Sequence, residues 1–314
     1  MSSCNNSIPQ PEVFVLAGIP GLESFHGLFS LPYFLVFITA LTGNITIILI
    51  IHIEKSLHEP MFLLLAMLSF VDLSLVSATV PHMLGIFWLD AKEISIDGCA
   101  IHMFFIASLY VMESGILLAM TFDCFVAICN PLRYMIILTN NTLVKMGLAV
   151  LARTMVELTP MPILTKTLTS FRTNIIPYSY CTYMAVVQIS CGDISHYIVY
   201  GFMIVVTSIG MDLLFISLSY GMILRTVFHF PSWEARHKAL STCGSHLCII
   251  ALFYSPVVFS FLTQSFGYEM PINIQIIVDN LYFLVPPMIN PLIYGARTKQ
   301  IKERVLRVLV CQPK

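Results

Sequence analysis

Charge is scarce in this sequence. Asp, Glu, Lys and Arg make up 11 % of its 314 residues, while 57 % are apolar; a soluble domain normally carries about 25 % charge. A core of this size cannot hide so much apolar surface from water, so lipid must be the solvent for most of it. A cationic excess is also missing. The net charge of −1 excludes a nucleic-acid binder, which needs a basic surface to neutralise phosphates. No metal-ligand spacing, nucleophile elbow or phosphate-cradling glycine loop occurs in a plausible context, so enzyme chemistry is not expected. The amino terminus has no cationic patch followed by a short apolar stretch and a small-residue cleavage site. No removable signal peptide is therefore expected, and the first span is read as the insertion signal.

What the sequence does contain is long stretches almost free of charge. A helix crossing a hydrocarbon core of about 30 Å needs roughly 20 mostly apolar residues. Between Glu23 and Glu54 there is no Asp, Glu, Lys or Arg, which places a first span at roughly 27–51. Six more are predicted near 60–87, 98–129, 143–164, 196–226, 238–263 and 272–296. The expected fold is an all-α membrane protein of seven spans. It divides into an extracellular tail (1–26), a seven-helix domain (27–297) and a cytoplasmic segment (298–314).

Lysine and arginine set the orientation, because cytoplasmic loops are enriched in both. With the amino terminus outside, the inner face holds Lys55, Arg133, Lys145, Arg225, Arg236, Lys238, Arg297, Lys299, Lys302, Arg304, Arg307 and Lys314; the outer face holds Lys92, Lys166 and Arg172. Arg153 is left inside the fourth span. After the seventh span, Thr298 to Val310 alternates Ile301, Val305, Leu306, Val308 and Leu309 with Lys302, Glu303, Arg304 and Arg307. That pattern predicts an amphipathic helix lying in the inner interface. Cys311 beside it reads equally as a palmitoylation site or as an unmodified thiol.

This topology puts Cys4, Cys99, Cys181 and Cys191 outside, where disulfides persist. Four cysteines allow three pairings, and the sequence does not choose among them. Asn5-Asn6-Ser7 is an accessible glycosylation sequon at Asn5 on the outer tail.

Six short strings then occur in order along the chain. Gly43-Asn44 lies in the first span and Leu57-His58-Glu59-Pro60-Met61-Phe62 opens the second. Phe122-Asp123-Cys124-Phe125-Val126-Ala127-Ile128-Cys129-Asn130-Pro131-Leu132-Arg133-Tyr134 closes the third, and Ser217-Leu218-Ser219-Tyr220 the fifth. Lys238-Ala239-Leu240-Ser241-Thr242-Cys243-Gly244-Ser245-His246 begins the sixth. Pro286-Pro287-Met288-Ile289-Asn290-Pro291-Leu292-Ile293-Tyr294 fills the seventh. Together they resemble the odorant receptors, within the rhodopsin-like G-protein-coupled receptors. Gly18-Ile19-Pro20-Gly21-Leu22 and the long second outer loop look like the class I, fish-like branch.

The resemblance implies a receptor that binds a small, mostly apolar volatile and activates a stimulatory, olfactory-type G protein to raise cAMP. Of the three cysteine pairings, Cys99 with Cys181 is the one expected, stapling the third span to the second outer loop. The pocket is expected between the outer halves of the third, fifth, sixth and seventh spans, near Ala107, Tyr110, Val111, Ile204, Ser208, Tyr254, Val257, Phe261, Ser265 and Asn280, with Tyr183 in the lid. Gln264-Ser265-Phe266-Gly267 lacks the cation that some class I relatives carry there, which favours alcohols, ketones or esters over carboxylates. Coupling and switching are expected of Asp123, Cys124, Tyr220, Lys238, His246, Asn290, Pro291 and Tyr294, with Pro256 allowing the sixth span to kink.

Two departures stand out. The family carries Asp-Arg-Tyr at the inner end of the third span, and here Cys124 takes the middle place. A thiol supplies neither a fixed cation nor a forked donor, so weakened or altered coupling is expected. Class I members also carry a cysteine near the start of the second outer loop, where this chain has Phe171, leaving Cys191 either free or paired with Cys4.

Asp72, Glu113, Arg153, Glu157, Asp212 and Asp279 fall within or near spans, where an unpaired charge is costly. Asp72 and Glu113 match facing family positions near Asn44 and Asn290. Two adjacent carboxylates need a cation or a shared proton, so a sodium site at Asp72, Glu113 and Asn290 is one reading and a protonated carboxyl the other. Arg153 and Glu157, four residues apart, stack on one helical face and read as a structural pair. A receptor for a non-odorant metabolite and a secondary transporter are the rival classes. The transporter predicts internal repeats, and none is visible.

Overall fold

The computed structural model describes residues 7–22, 25–265, 271–297 and 301–304. It contains seven helices long and apolar enough to cross a membrane: His26–Ile53, Pro60–Leu89, Ile96–Cys129, Asn140–Lys166, Ser195–Phe228, Trp233–Phe259 and Asn273–Gly295. They are called here the first to seventh spans. Within the first, the hydroxyls of Thr39, Thr42 and Thr46 donate to carbonyls one turn back at 2.8, 2.7 and 2.6 Å. Exposed on the flank of the helix, they are satisfied without water, as lipid requires.

Helix ends follow local chemistry. Ser95 caps the third span by accepting from the Gly98 amide at 3.1 Å, and Thr139 caps the fourth by accepting from Thr142 at 3.2 Å; each satisfies an otherwise orphaned amide. Pro60 opens the second span at a position where its missing N–H costs nothing. Asp90 ends that span in the left-handed region at φ 53°.

The third span is the axis of the bundle, packing against the second, fourth, fifth and sixth, while the seventh packs against the first, second and sixth. Two glycines allow close approaches against rigid or branched neighbours. A Cβ on Gly43 would lie 2.8 Å from Pro291 Cγ, and one on Gly115 would lie 2.8 Å from Val150 Cγ1; small residues at such crossings let backbones come together. The fifth span is irregular. Helix Ser195–Ile204 passes through a π-helical turn, Val205–Gly210, before helix Met211–Phe228 resumes.

One end of the bundle carries a cap of five short strands. Strand β1 (Ile8–Pro9) pairs with β4 (Ser170–Phe171). Strand β2 (Val13–Leu16) lies between antiparallel β3 (Glu93–Ser95) and parallel β5 (Ile175–Ile176). Residues 8–16 of the expected tail are thus woven into the loop between the fourth and fifth spans. Strands of two to four residues carry too little alternation to be read in advance. Phe171 is fully buried, bridges Ser190 and packs edge-to-face on Phe14 at 5.5 Å. Below it the Cys99–Cys181 disulfide, with Cα atoms 5.5 Å apart, ties the loop to the third span. Cys191 is also disulfide-bonded, its partner lying outside the described residues.

At the far end, residues 301–304 are helical. Ile301 is buried against the core shared by the second, third, fifth and sixth spans, and Arg304 pairs with Glu54 at 2.8 Å. The rest of the expected amphipathic helix, with Cys311, lies outside the described residues, as does Asn5.

Candidate functional site

At mid-bundle a chain of charged and hydroxylic side chains joins four spans. Arg153 on the fourth span donates to both oxygens of Asp212 on the fifth, at 2.7 and 3.0 Å. This forked geometry is the one that guanidinium and carboxylate planes favour. Arg153 also reaches the Ser208 carbonyl at 3.2 Å, inside the π-helical turn, where the displaced backbone pattern leaves carbonyls to be satisfied by other donors. The Ser208 hydroxyl donates to Glu157 at 2.6 Å, and Glu157 lies 3.4 Å from the Arg153 Nε.

From Asp212 the chain continues inward. Ser114 on the third span donates to the second Asp212 oxygen at 2.6 Å, and its oxygen lies 2.7 Å from the Tyr254 hydroxyl on the sixth. Because the Ser114 proton is spent on the carboxylate, Tyr254 must be the donor in the second bond. Ser114 and Asp212 are at most 1 % exposed. Removing Asp212 would leave the Arg153 guanidinium without its two shortest bonds.

A second polar cluster lies between the second, third and seventh spans. Asn290 donates to Asp72 at 3.0 Å. The other Asp72 oxygen and both Glu113 oxygens are buried without hydrogen-bond partners, as is the Asn44 amide oxygen; the Asn44 nitrogen donates to the Ala40 and Pro287 carbonyls. Adjacent carboxylates with orphaned oxygens fit a hard cation, or one proton held between them. A sodium ion accordingly fits the residues present. Among the described residues no cluster of three His, Cys, Asp or Glu forms, so any such ion would need amide oxygen as well.

At the far end a cleft of about 490 Å³ is lined by Asp123, Cys124, Glu59, Tyr134, Phe230 and Ala239, among others. Cys124 is buried and its thiol is free. In place of a neighbouring guanidinium, the Asp123 carboxylate accepts from the Tyr134 hydroxyl at 2.9 Å. Burial first, and then the Asp123 charge, push the Tyr134 phenol up from its ordinary value, so Tyr134 stays a neutral donor. Nearby, Tyr294 lies 3.3 Å from the His246 ring nitrogen and donates to Met120 sulfur at 3.9 Å. The Tyr220 hydroxyl is buried without a hydrogen-bond partner, and Pro291 sits against Gly43. The Lys238 side chain is outside the described residues.

The other expected pocket residues are dispersed. Val111 belongs to the core beneath the cap, with Ala107 and Ile204 packed against it. Tyr110 stacks on Phe253 with centroids 4.5 Å apart, and Val257 packs into the same core. Asn280 donates to Tyr33 on the first span at 3.0 Å, away from the third and fifth. Tyr183 lies in a loop helix, Tyr183–Ile189, and donates to the Tyr197 carbonyl at 3.2 Å; burial raises its phenol above the ordinary value. Ser208 and Tyr254 are held in the mid-bundle chain. Phe261 and Ser265 have side chains outside the described residues.

Sequence reasoning passed over Ser114 and gave Asp212 no partner. Charge balance was the available signal, since Arg153 lies far from either end of its span, where a cation calls for an acidic partner.

Comparison with known proteins adds the lineage. The olfactory receptor family profile matches residues 33–312. Human olfactory receptor 52B2 is 48 % identical over 97 % of this chain and 94 % of its own length. Human olfactory receptor 52J3 is 49 % identical over 97 % of both. Human olfactory receptor 52D1 is 47 % identical over 95 % of this chain and 94 % of its own.

Proposed function

This chain belongs to the olfactory receptor family of rhodopsin-like G-protein-coupled receptors, and we propose that it answers a small, mostly apolar odorant by activating a stimulatory G protein that raises cAMP. The family and the seven apolar helices make it a multi-pass plasma-membrane protein and not an enzyme. In the proposed orientation the stranded cap faces outside and the Asp123–Cys124 cleft faces the cytosol, in keeping with the lysine and arginine distribution.

The observation that carries the reading is the hydrogen bond from Tyr254 to Ser114, at 2.7 Å. Among the described residues it is the one link of the mid-bundle chain that reaches the sixth span. A ligand activates only by binding one conformation better than another. An odorant lodged above Tyr254, among Tyr110, Val111, Ile204 and Val257, would compete for that hydroxyl or shift its ring. Released from Ser114, the sixth span pivots at Pro256, where the ladder of backbone hydrogen bonds is already broken. The swing separates His246 from Tyr294 and widens the cleft beside Asp123 for the G protein.

Asp72, Glu113 and Asn290 are proposed to hold a sodium ion in the resting conformation, the ion neutralising the two carboxylates. Cys124 is proposed to weaken coupling, because a thiol offers the G protein no forked cation. Apolar walls with the Tyr254 hydroxyl suit alcohols, ketones or esters. A cAMP reporter screen of a chemically mixed odorant panel, run on wild type beside Tyr254→Phe, tests the reading. Responses to neutral odorants that shift in potency with Tyr254→Phe are expected. A panel in which only short carboxylic acids act, or a variant indistinguishable from wild type, refutes it.

A further inference from the structure

Apart from the mid-bundle chain, two histidines meet where the second and third spans pass beneath the cap. The rings of His82 and His102 lie 4.9 Å apart, tilted by 33°, and both are half-buried. The His102 Nε2 is 3.2 Å from the Ala78 carbonyl. A carbonyl only accepts, so Nε2 carries the proton, and the neutral ring keeps its lone pair on Nδ1. That Nδ1 is buried without a hydrogen-bond partner, and so is the Nδ1 of His82. The Ser179 hydroxyl, fully buried in the loop above, has no partner either.

Unsatisfied ring nitrogens in adjacent histidines are unusual, because buried polar atoms nearly always find a partner. A ligand that accepts lone pairs would satisfy both at once. Paired imidazoles suit zinc, copper or nickel, whereas calcium and magnesium prefer oxygen. A carbonyl accepting the opposite N–H of a ring is the usual support behind a metal-binding histidine. With metal–nitrogen bonds of about 2.0 Å and tetrahedral angles, two imidazoles on one ion have ring centres about 5 Å apart. The observed separation agrees with that figure.

We propose that His82 and His102 form a Zn²⁺ site through their Nδ1 atoms, joining the second and third spans one turn below the Cys99–Cys181 disulfide. Among the described residues no third His, Cys, Asp or Glu completes the set. Water takes the remaining positions, which makes the site open and exchangeable. With the cap outside, as proposed above, the ion would come from the extracellular fluid. Zinc there would pin the loop lid to both spans. Acid would release it by protonating the two nitrogens. The site is independent of the odorant reading.

The test uses the full-length receptor in lipid nanodiscs, purified through a tag that contains no histidine, and follows thermal unfolding against Zn²⁺. A saturable rise in midpoint with Zn²⁺ and none with Mg²⁺ is expected. His82→Asn and His102→Asn should each raise the half-saturating Zn²⁺ by about tenfold or more, since loss of even an outer-shell partner costs that much. An undiminished response in the double variant, or an equal response to Mg²⁺, overturns the proposal. Should the variants fail to fold, Cu²⁺ bound at one equivalent to the unaltered receptor keeps the test open. Its electron paramagnetic resonance spectrum should show two coupled nitrogens, and one or none overturns the site.

Discussion

Arg153 reaches from the fourth span to grip both carboxylate oxygens of Asp212 on the fifth, across 59 residues of sequence. Breaking one side of a buried pair strands the other charge, at a cost of about 3–5 kcal/mol. Asp212→Ala is therefore expected to lower the unfolding midpoint and surface expression sharply. Replacing both partners with apolar residues, as in Arg153→Met with Asp212→Leu, should recover most of that stability. Thermal unfolding of the two variants decides it, and equal losses would contradict the pairing argument.

At the far end, Cys124→Arg is expected to raise ligand-driven cAMP by roughly fivefold or more at equal surface expression, the lower range of typical allosteric couplings. The restored guanidinium would compete with Tyr134 for Asp123. Tyr134→Phe in the wild-type background should raise basal signalling, because it frees the acid that the tyrosine now holds. An unchanged cAMP response in Cys124→Arg would show that the thiol does not limit coupling.

Sodium dependence separates the two readings of the Asp72–Glu113 pair. If the ion is held there, raising external sodium shifts agonist potency in wild type, and Glu113→Gln abolishes the shift. A potency in wild type that is blind to sodium would leave a shared proton as the occupant of those orphaned oxygens.

Three glycines offer a graded test of packing. Ala at Gly43 would press a Cβ to 2.8 Å from the rigid Pro291 ring, and Ala at Gly115 would press one to 2.8 Å from the branched Val150. Each is expected to destabilise by about 1–3 kcal/mol, the usual range for overpacking. Gly147→Ala also makes a short contact, 2.7 Å, but with the terminal methyl of Met67. That side chain has rotatable bonds to spare, so the change should be close to neutral. Unfolding midpoints in the same nanodiscs give the ranking.

How much of this was legible beforehand differs between fold and site. The long charge-poor stretches located all seven spans within about five residues, because bilayer thickness sets a minimum apolar length for every helix that crosses it. The interruption of the fifth span at Val205–Gly210 left no such trace. Its apolar residues fit an ordinary helix equally well. For the site, the residue types were visible and their partners were not. Spacing along the fourth span brings Arg153 to Glu157, a contact of 3.4 Å, yet the shorter bonds go to Asp212.

The sequence by itself determined that lipid surrounds seven apolar helices, which family they build, and that Cys124 breaks the pattern at the end of the third. Only the tertiary structure decided that Asp212 answers Arg153, that Ser114 links it to Tyr254, that His82 faces His102, and that residues 8–9 and 13–16 form strands. Composition and length are summed along the chain and survive in its order. A hydrogen bond between spans depends on how each helix is rotated about its own axis, and that rotation is settled by the packing of all seven together.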